Sequence, residues 1–536
     1  MKKVSQNFLD KTLAPKKQIK TRILVAWDKI FDPVRGFFTL DSSTLDGGAV
    51  LWNGNQDVAA FTDKYEYTDE SKNCASWSTS QKASQHPWGV IQGTAKIVLN
   101  NASGRYFPNN DPVIGDYVGL PNRPIKIQQE IDGESVNVFT GYTSRPVVTI
   151  EKSQMTITAF DALAFLSGIT SELEPIVNKS IDEIIAMLLI EAGFVEAQFA
   201  LEEGIQEKIG FCAPNGEKTI SVIQKLCESE QYLLFADGDG LIHGWNANHF
   251  TIESDPIRNF NKGNSTTMAW ASSSILNDVM VTATPYKVVE TPGVYYEMDG
   301  GSDDTLVPAH DSLELFISPE DDKNNAVYGI NVDTPVYNGD GTSCYKTCIE
   351  QNGEGEANAE AISVSAFYVM NGKTIRIIFK NDSDTPTYIT YLSLFGTHAR
   401  KLYYSPVEIR DKNSMENYGV NPDESSSGEV YKVENEYIQD RKFAKRIAEL
   451  LVENYAEPYG QISLSVFPTP YMEFGDIVEA HIGIADGAKR GIIFGIENTG
   501  GANGKYTQKI SIEQRAEIYS FKLDSSKLDS GHVLAY

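Results

Sequence analysis

The feature that most constrains this chain is a strand pattern that occurs twice, once in each half of the sequence. Each copy holds a glycine–aspartate pair between two apolar runs: Gly115–Asp116 in PVIGDYVGL and Gly475–Asp476 in PYMEFGDIVEA. Glycine reaches positive φ without steric cost, and aspartate bonds back to nearby backbone N–H groups. Each pair therefore predicts a tight turn that begins a strand.

The sequences on either side of the two turns match in order and in approximate spacing. An alternating apolar strand precedes each turn, GTAKIVLN in the first copy and GQISLSVF in the second. A glycine-containing strand and a last alternating strand follow: NVFTGYTSRPV and SQMTITAFD, then GIIFGIENTG and TQKISIEQRA. Because a period of two indicates half-buried strands, the match predicts two related β-barrel modules. Chance similarity between short β-segments is the alternative.

Between the two copies the pattern becomes helical. SIDEIIAMLLIEAGF has apolar residues at helical spacing, a capping box at Ser180 and Glu183, and a stop at Gly193. A second helix is expected from Thr219. In YLLFADGDGLIHGW two apolar strands surround an Asp–Gly turn, which predicts a hairpin rather than a calcium loop, since the later acidic ligand is missing.

These patterns predict a mainly β (α+β) protein of several domains. SILNDVMVTATP is expected to open the second module, and a helix from Asp440 to Ala456 to lead back to it after a β-rich insertion. The basic start is expected to be a frayed tail or a segment that docks on a neighbouring subunit. The predicted units are a basic N-terminal segment (1–22), a first barrel module (23–170), a helix-plus-hairpin domain (171–273), a second barrel module (274–285 and 430–517), an inserted β-sandwich (286–429) and a C-terminal tail (518–536).

Charge and cysteine content narrow the classes of function. The formal net charge of −27 argues against a protein held on nucleic acid by phosphate contacts. Five scattered cysteines do not form a disulfide framework, which favours folding in a reducing cytoplasm. For Cys344 and Cys348 two interpretations stay open, a loop disulfide and half a metal site, although no matching Cys/His pair is near in the sequence.

No motif for catalysis is present. The sequence has no His-Glu-x-x-His, no nucleotide-binding glycine loop after a strand and no Gly-x-Ser-x-Gly. The seven histidines lack ligand spacing. We therefore expect no catalytic residues, no metal and no cofactor, and a protein that is not an enzyme.

The order of these segments resembles that of tail hub proteins, the tail-tip or baseplate hubs of long-tailed bacteriophages. The resemblance rests on LNNASGRY (99–106), the FTG strand, the Ala–x–Asp–Ala–Leu helix start AFDAL (159–163), SMENYG (414–419) and the closing KISIEQRA. It covers most of residues 20–166, 175–285 and 430–517, and leaves the 286–405 insertion without a counterpart.

The resemblance implies a structural virion protein at the tail tip, assembled in the host cytoplasm. It implies a homotrimer in which two tail-tube-like barrels per chain form a pseudo-sixfold ring that joins the hexameric tail tube to threefold tip parts. Expected partners are the distal tail protein, tail tube protein, tape measure protein and central fibre or receptor-binding proteins. DNA would pass during genome ejection without specific binding, along a lumen wall that is net acidic or neutral. The alternatives are a carbohydrate-binding protein for host attachment at the cell surface, and a tail lysin with an unrecognised active site.

Overall fold

The computed structural model describes most of the chain. The described residues are 2, 4–14, 18–30, 65–83, 88–206, 208–250, 256–261, 265–272, 274–299, 305–320, 326–337, 344–369, 372–422, 429–458, 460–481, 489–501 and 506–513. The predicted C-terminal tail (518–536) lies wholly outside them.

The described residues form 31 strands, so the expectation of a mainly β protein is confirmed. In chain order the strands are β1 Lys20–Val25, β2 Thr68–Asp69, β3 Cys74–Lys82, β4 Gly89–Ile91, β5 Thr94–Asn100, β6 Pro124–Ile131, β7 Glu134–Thr143, β8 Val147–Thr149, β9 Gln154–Phe160, β10 Ile176–Lys179, β11 Phe199–Leu201, β12 Ile209–Cys212, β13 Leu233–Ala236, β14 Ile242–Trp245, β15 Arg258–Phe260, β16 Ser265–Ser272, β17 Asp278–Thr282, β18 Tyr286–Asp299, β19 Leu306–Val307, β20 Ser312–Ile317, β21 Tyr328–Val332, β22 Tyr345–Cys348, β23 Ile362–Val369, β24 Thr374–Asn381, β25 Thr387–Lys401, β26 Val407–Arg410, β27 Tyr431–Glu434, β28 Gly460–Val466, β29 Ile477–Ala480, β30 Lys489–Gly501 and β31 Tyr506–Glu513.

Six α-helices accompany them in the described residues. They are α1 Gln6–Leu13, α2 Ala162–Phe165, α3 Ile181–Glu191, α4 Thr219–Glu230, α5 Lys412–Tyr418 and α6 Arg441–Tyr455.

Six strands, in the spatial order β1-β6-β7-β9-β5-β3, form the first module around one core. The alternation seen in the sequence sets their faces: in β5, Ala95, Ile97 and Leu99 are buried while Lys96 is exposed. Ile127 of β6 and Ile157 of β9 are fully buried in the same core. Burial of these apolar side chains stabilises the module.

The second module repeats this arrangement with the strands β15-β29-β30-β31-β28-β16. Chain order and spatial order both correspond, so that β3 matches β16, β5 matches β28, β7 with β8 matches β30, and β9 matches β31. One pairing differs, because β1 runs antiparallel to β6 whereas β15 runs parallel to β29. The sequence repeat is thus a repeat of strand order.

The strand that completes the second module is not the predicted one. Residues 274–285 were expected to open it, but β17 within them pairs with β26 and β27 in a separate three-stranded sheet. Val279 and Val281 of β17 pack on Ile447 and Leu451 of α6. A short alternating strand looks the same in either sheet, because its period gives its buried face and not its partner. The module instead begins with β15, which pairs with β29, and β16, which pairs with β28.

The insertion is accordingly longer than expected and lies between β16 and β28. Its β-sandwich spans β18 to β25, with a five-stranded and a three-stranded sheet that share one core. Residues 407–429, assigned to the sandwich from the sequence, instead hold β26 and α5, which belong with β17 and α6. Phe211 packs on Tyr286 and Tyr328, which joins the sandwich to the helix-plus-hairpin domain.

That domain forms largely as the sequence predicts. Ser180 and Glu183 form the capping box of α3, and Gly193 follows the helix with φ +96°. The Asp–Gly turn joins β13 and β14 as an antiparallel hairpin. One correction concerns the domain bounds, since β4, within the range assigned to the first module, pairs in parallel with β13.

The two glycine–aspartate pairs have different conformations. Gly475 has φ +83° and Asp476 immediately precedes β29, as predicted. The first pair does not begin a strand: Gly115 and Asp116 lie in a helical turn, where Val118 N–H donates to the Ile114 carbonyl, and β6 starts only at Pro124. The longer loop of the first module leaves room for this turn before the strand.

The Gly475 position generates a stability prediction. A Cβ there would lie 2.0 Å from the Trp245 ring, and the left-handed φ adds backbone strain. Gly133 has a similar φ, +85°, but open space around its Cβ position. Replacement of Gly133 by valine should lower the free energy of unfolding by about 1–3 kcal/mol through strain alone. Gly475→Val should lower it by more, as measured by chemical denaturation, and equal losses would contradict the packing argument.

Glu230 generates a pH prediction. Its Oε2 accepts N–H bonds from Ile205 at 2.9 Å and Gln206 at 3.2 Å, while Oε1 has no hydrogen-bond partner. Burial raises the pKa of this carboxyl to about 7, against an ordinary 4.5. The folded state therefore holds the proton more tightly, so the stabilisation is full below about pH 4.5 and is lost as pH rises through 7.

Glu230→Gln keeps an acceptor for both N–H groups and cannot ionise. We expect the melting temperature of the wild type, relative to this variant, to fall between about pH 5 and pH 8. Glu228→Gln, an exposed change on the same helix, is the matched control. A Glu230→Gln variant with the same pH profile as the wild type would contradict the account.

Candidate assembly interface

The two modules are joined edge to edge by backbone pairing. Strand β3 of the first module pairs antiparallel with β30 of the second, from Ser76 opposite Gly501 to Lys82 opposite Gly495. The sheet therefore continues from one module into the other in the order β16-β28-β31-β30-β3-β5-β9. We call the β3–β30 pairing the seam.

Buried side chains fix the register of the seam. Asn498 Nδ2 donates to Thr79 Oγ1 at 3.0 Å, and Tyr506 donates to Asn498 Oδ1 at 3.0 Å. Trp77 packs 5.4 Å from the Tyr506 ring and covers Gly500, where a Cβ would lie 2.2 Å from the indole nitrogen. A shift of register would leave buried polar groups without partners, which is costly. None of these residues stood out in the sequence.

Two outer edges of the same sheet have no strand partner among the described residues. One is the edge of β16 that faces away from β28, and the other is the edge of β8 that faces away from β9. An edge of this kind exposes backbone N–H and C=O groups and is a template for another chain.

Because of the duplication, these two edges are equivalent to the two strands of the seam. Since β16 matches β3 and β8 matches the end of β30, an edge of β16 fits an edge of β8 as β3 fits β30. At the seam Ser78 lies opposite Thr499. Ser78 also pairs with Lys96 of β5, and Ala269 pairs with Ser463 of β28. Because Lys96 and Ser463 are equivalent positions, Ser78 is equivalent to Ala269. Thr149 pairs with Gln154 of β9, and Thr499 pairs with Thr507 of β31. Because Gln154 and Thr507 are equivalent positions, Thr149 is equivalent to Thr499. In a second seam, a pairing with the register of the seam, Thr149 would therefore lie opposite Ala269.

The free edge of the first module is also apolar. Val147 is 61% exposed and Ile150 is 74% exposed. At the seam, the position equivalent to Ile150 is Gly500, which Trp77 covers. Exposed apolar side chains beside an unpaired strand are typical of a surface that another protein covers.

The face of the joined sheet opposite the two cores carries mainly hydroxyl and amide groups. Its charged members among the described residues include three lysines, Lys82, Lys96 and Lys509, and two glutamates, Glu497 and the buried Glu513. The others include Ser76, Ser78, Ser80, Thr156, Thr158, Ser463, Ser465, Thr499, Thr507 and Ser511. We call this the hydroxyl face. The acidic excess of the chain lies elsewhere.

The N-terminal segment binds within its own chain. Phe8 of α1 is fully buried in the core of the second module, against which Ile131 and Val136 of the first module also pack. Lys2 Nζ donates to the Asn137 carbonyl oxygen and lies 3.7 Å from Glu473. The described residues of this segment therefore pack on their own chain, whereas the sequence analysis offered a frayed tail or docking on a neighbouring subunit.

A small cavity of about 50 Å³ lies where both modules meet the helix-plus-hairpin domain, lined in part by Lys2, Thr79, Phe235 and Asn498. Burial raises the pKa of Glu473, and Lys2 opposes that rise. Burial likewise raises the pKa of Asp476. Glu473 lies near Lys2, and Asp476 accepts the Glu473 backbone N–H, so both carboxylates are held within the junction.

The predicted turn residues lie apart from one another. Gly475 packs on Trp245 of β14, and Asp476 accepts the Glu473 N–H at 2.8 Å. Gly115 packs on the Asp111 carbonyl of its own loop, and Asp116 is exposed. In the described part of the chain no three His, Cys, Asp or Glu side chains are placed to hold a metal, and Cys344 and Cys348 are free thiols. No helix of that part is long and apolar enough to span a membrane.

Comparisons with known proteins give structural neighbours only. No known family profile matches the chain, and no curated protein is similar in sequence. A tail protein from Neisseria meningitidis is similar in structure with 8% identity and a TM-score of 0.45, over 92% of this chain and 97% of that one. The 43 kDa tail protein of a Shewanella oneidensis prophage has 10% identity and a TM-score of 0.42, over 83% and 95%.

A Listeria monocytogenes prophage tail protein gives 8% identity and a TM-score of 0.38, over 84% of this chain and 91% of that one. The similar structures are thus tail proteins, the class that the sequence resembles. At these scores the likeness carries no argument about function, which has to rest on the seam and the free edges.

Proposed function

We propose that this chain is a structural protein of a phage tail tip, a hub that assembles as a homotrimer. The observation that carries the proposal is the pair of free edges, which are equivalent to the two strands of the seam. Each chain would pair its β16 with β8 of the next, and three copies would close the sheet into a ring. The ring would hold six modules of matching strand order around a threefold axis.

Such a ring suits a joint between a hexameric tube and threefold tip parts. The six repeated modules would meet the tail tube, and the sandwich, present once per chain, would follow the threefold symmetry. The distal tail protein, tail tube protein and tape measure protein are the partners on the tube side. Central fibre or receptor-binding proteins are the partners on the tip side, and the assembled virion is the location.

The hydroxyl face would line the channel through which DNA passes. Its few charges include more lysines than glutamates. The wall would therefore differ from the acidic or neutral wall that the net charge of the chain led us to expect. These few charged residues, spread over the strands of the joined sheet, form no basic stripe. Contacts with phosphates would be few, and DNA would slide without specific binding.

The proposal assigns no catalysis to the chain. The sequence lacks catalytic motifs. Of the two carboxylates at the junction, Glu473 lies near Lys2 and Asp476 accepts the Glu473 backbone N–H. The carbohydrate-binding alternative gains support from a separate surface of the sandwich, argued below.

The register of the second seam allows a covalent test. Cysteines at Thr149 and Ala269 should lie opposite one another on different subunits, at the Cα separation of a directly opposed antiparallel pair, which is about 4.5–5.5 Å. Such a separation permits a disulfide. In a Cys344→Ser background, mild oxidation of Thr149→Cys/Ala269→Cys should give a covalent trimer on a denaturing gel.

The matched control moves one cysteine by two residues along the same face. Thr149→Cys/Thr267→Cys should cross-link far less, because its cysteines would be about 7 Å apart along the strand. Equal cross-linking of both pairs, or intramolecular cross-links only, would contradict the second seam.

A further inference from the structure

The β-sandwich presents an aromatic row on the outer face of its three-stranded sheet. In the order β20-β24-β23, Phe316 lies opposite Arg376, and Arg376 lies opposite Phe367. These three residues alternate along their strands with Ile317, Ile375 and Ala366, which face the core of the sandwich. They therefore share the outer face. Phe316 is 62% exposed and Phe367 is 50% exposed.

The row has a defined spacing. The two phenylalanines are on the outer strands, two strand separations apart, which is about 9.6 Å. Arg376 between them is held by Glu314, with Nη2 2.5 Å and Nε 3.3 Å from its carboxylate oxygens. The guanidinium is therefore fixed in place, and its remaining N–H groups are available to a ligand.

Most of the neighbouring residues on one side of the aromatic row are polar. The next two rows across the same face are Glu314, Ile378 and Ser365, then Ser312, Lys380 and Ser363. Protein–protein contacts gather their energy in a contiguous apolar centre with a polar rim. Here the two rings are separated by a charged residue, which suits a ligand whose apolar faces repeat at intervals with hydroxyl groups between them.

A β-linked chain of hexopyranose sugars has that character. The axial C–H groups of a pyranose form an apolar face that stacks on aromatic rings, while its hydroxyl groups accept bonds from arginine and lysine. In an extended β-linked chain, alternate sugars present the same face, so the two rings would contact sugars one disaccharide repeat apart.

We propose that the outer face formed by Phe316, Arg376 and Phe367 binds a β-linked polysaccharide. This site goes beyond the hub function and does not depend on trimer closure. The aromatic contacts that hold the sandwich to the helix-plus-hairpin domain involve Tyr286 and Tyr328 of the five-stranded sheet, whereas Phe316 and Phe367 are exposed. A polysaccharide of a cell surface or a free glucan would share this chemistry.

The test uses the full chain and three insoluble probes, which are bacterial peptidoglycan sacculi, chitin and cellulose. We expect the wild type to be retained on at least one of them. Phe316→Ala/Phe367→Ala should weaken that retention by about tenfold or more. Because both rings are exposed, the variant should keep the melting temperature of the wild type.

The matched control is Tyr403→Ala/Tyr404→Ala, which removes two aromatic rings that are 83% and 50% exposed just beyond β25. This control should bind as the wild type does. Retention on sacculi alone would indicate a cell-wall polysaccharide as the ligand, whereas retention on all three probes would indicate binding to β-linked polysaccharides in general. The proposal is overturned if no probe retains the wild type or if both double variants bind equally. It is also overturned if the phenylalanine variant changes the oligomeric state, which would assign the face to a second copy of the chain.

Discussion

The antiparallel pairing of β3 with β30 is the interaction on which the rest of the structure depends. It turns two modules of equal strand order into one continuous sheet. Backbone hydrogen bonds supply the pairing, and the Tyr506–Asn498–Thr79 chain together with Trp77 over Gly500 selects one register. β16 and β8 repeat these strands without a strand partner in the described chain, which is why we propose that the same interaction forms again between subunits.

The other domains are attached without interrupting the continuous sheet. The insertion leaves the second module after β16 and returns at β28, so the two flanking strands still pair with each other. The helix-plus-hairpin domain lies between the modules in sequence and is tied to both, since β4 pairs with β13 and Trp245 packs on Gly475. Phe8 and Lys2 of the N-terminal segment close the remaining side of the junction.

The sequence predicted what depends on local pattern. Alternation identified β5, β9, β28 and β31, and the caps at Ser180 and Gly193 bounded α3, because these signals are contained within a few residues. Strand partners were not predictable in this way. The alternation of β17 suits two different sheets, and β16 shows little alternation, so the insertion boundary was wrong. The seam residues Asn498 and Thr79 are 419 positions apart, and no local signal connects them.

Electron microscopy of the purified chain, viewed along the symmetry axis at concentrations that favour assembly, tests the central claim most directly. The account predicts closed rings of three subunits, with six similar inner lobes and three outer lobes from the sandwich. Isolated monomers, rings with another number of subunits, or open filaments built through the same edges would contradict it.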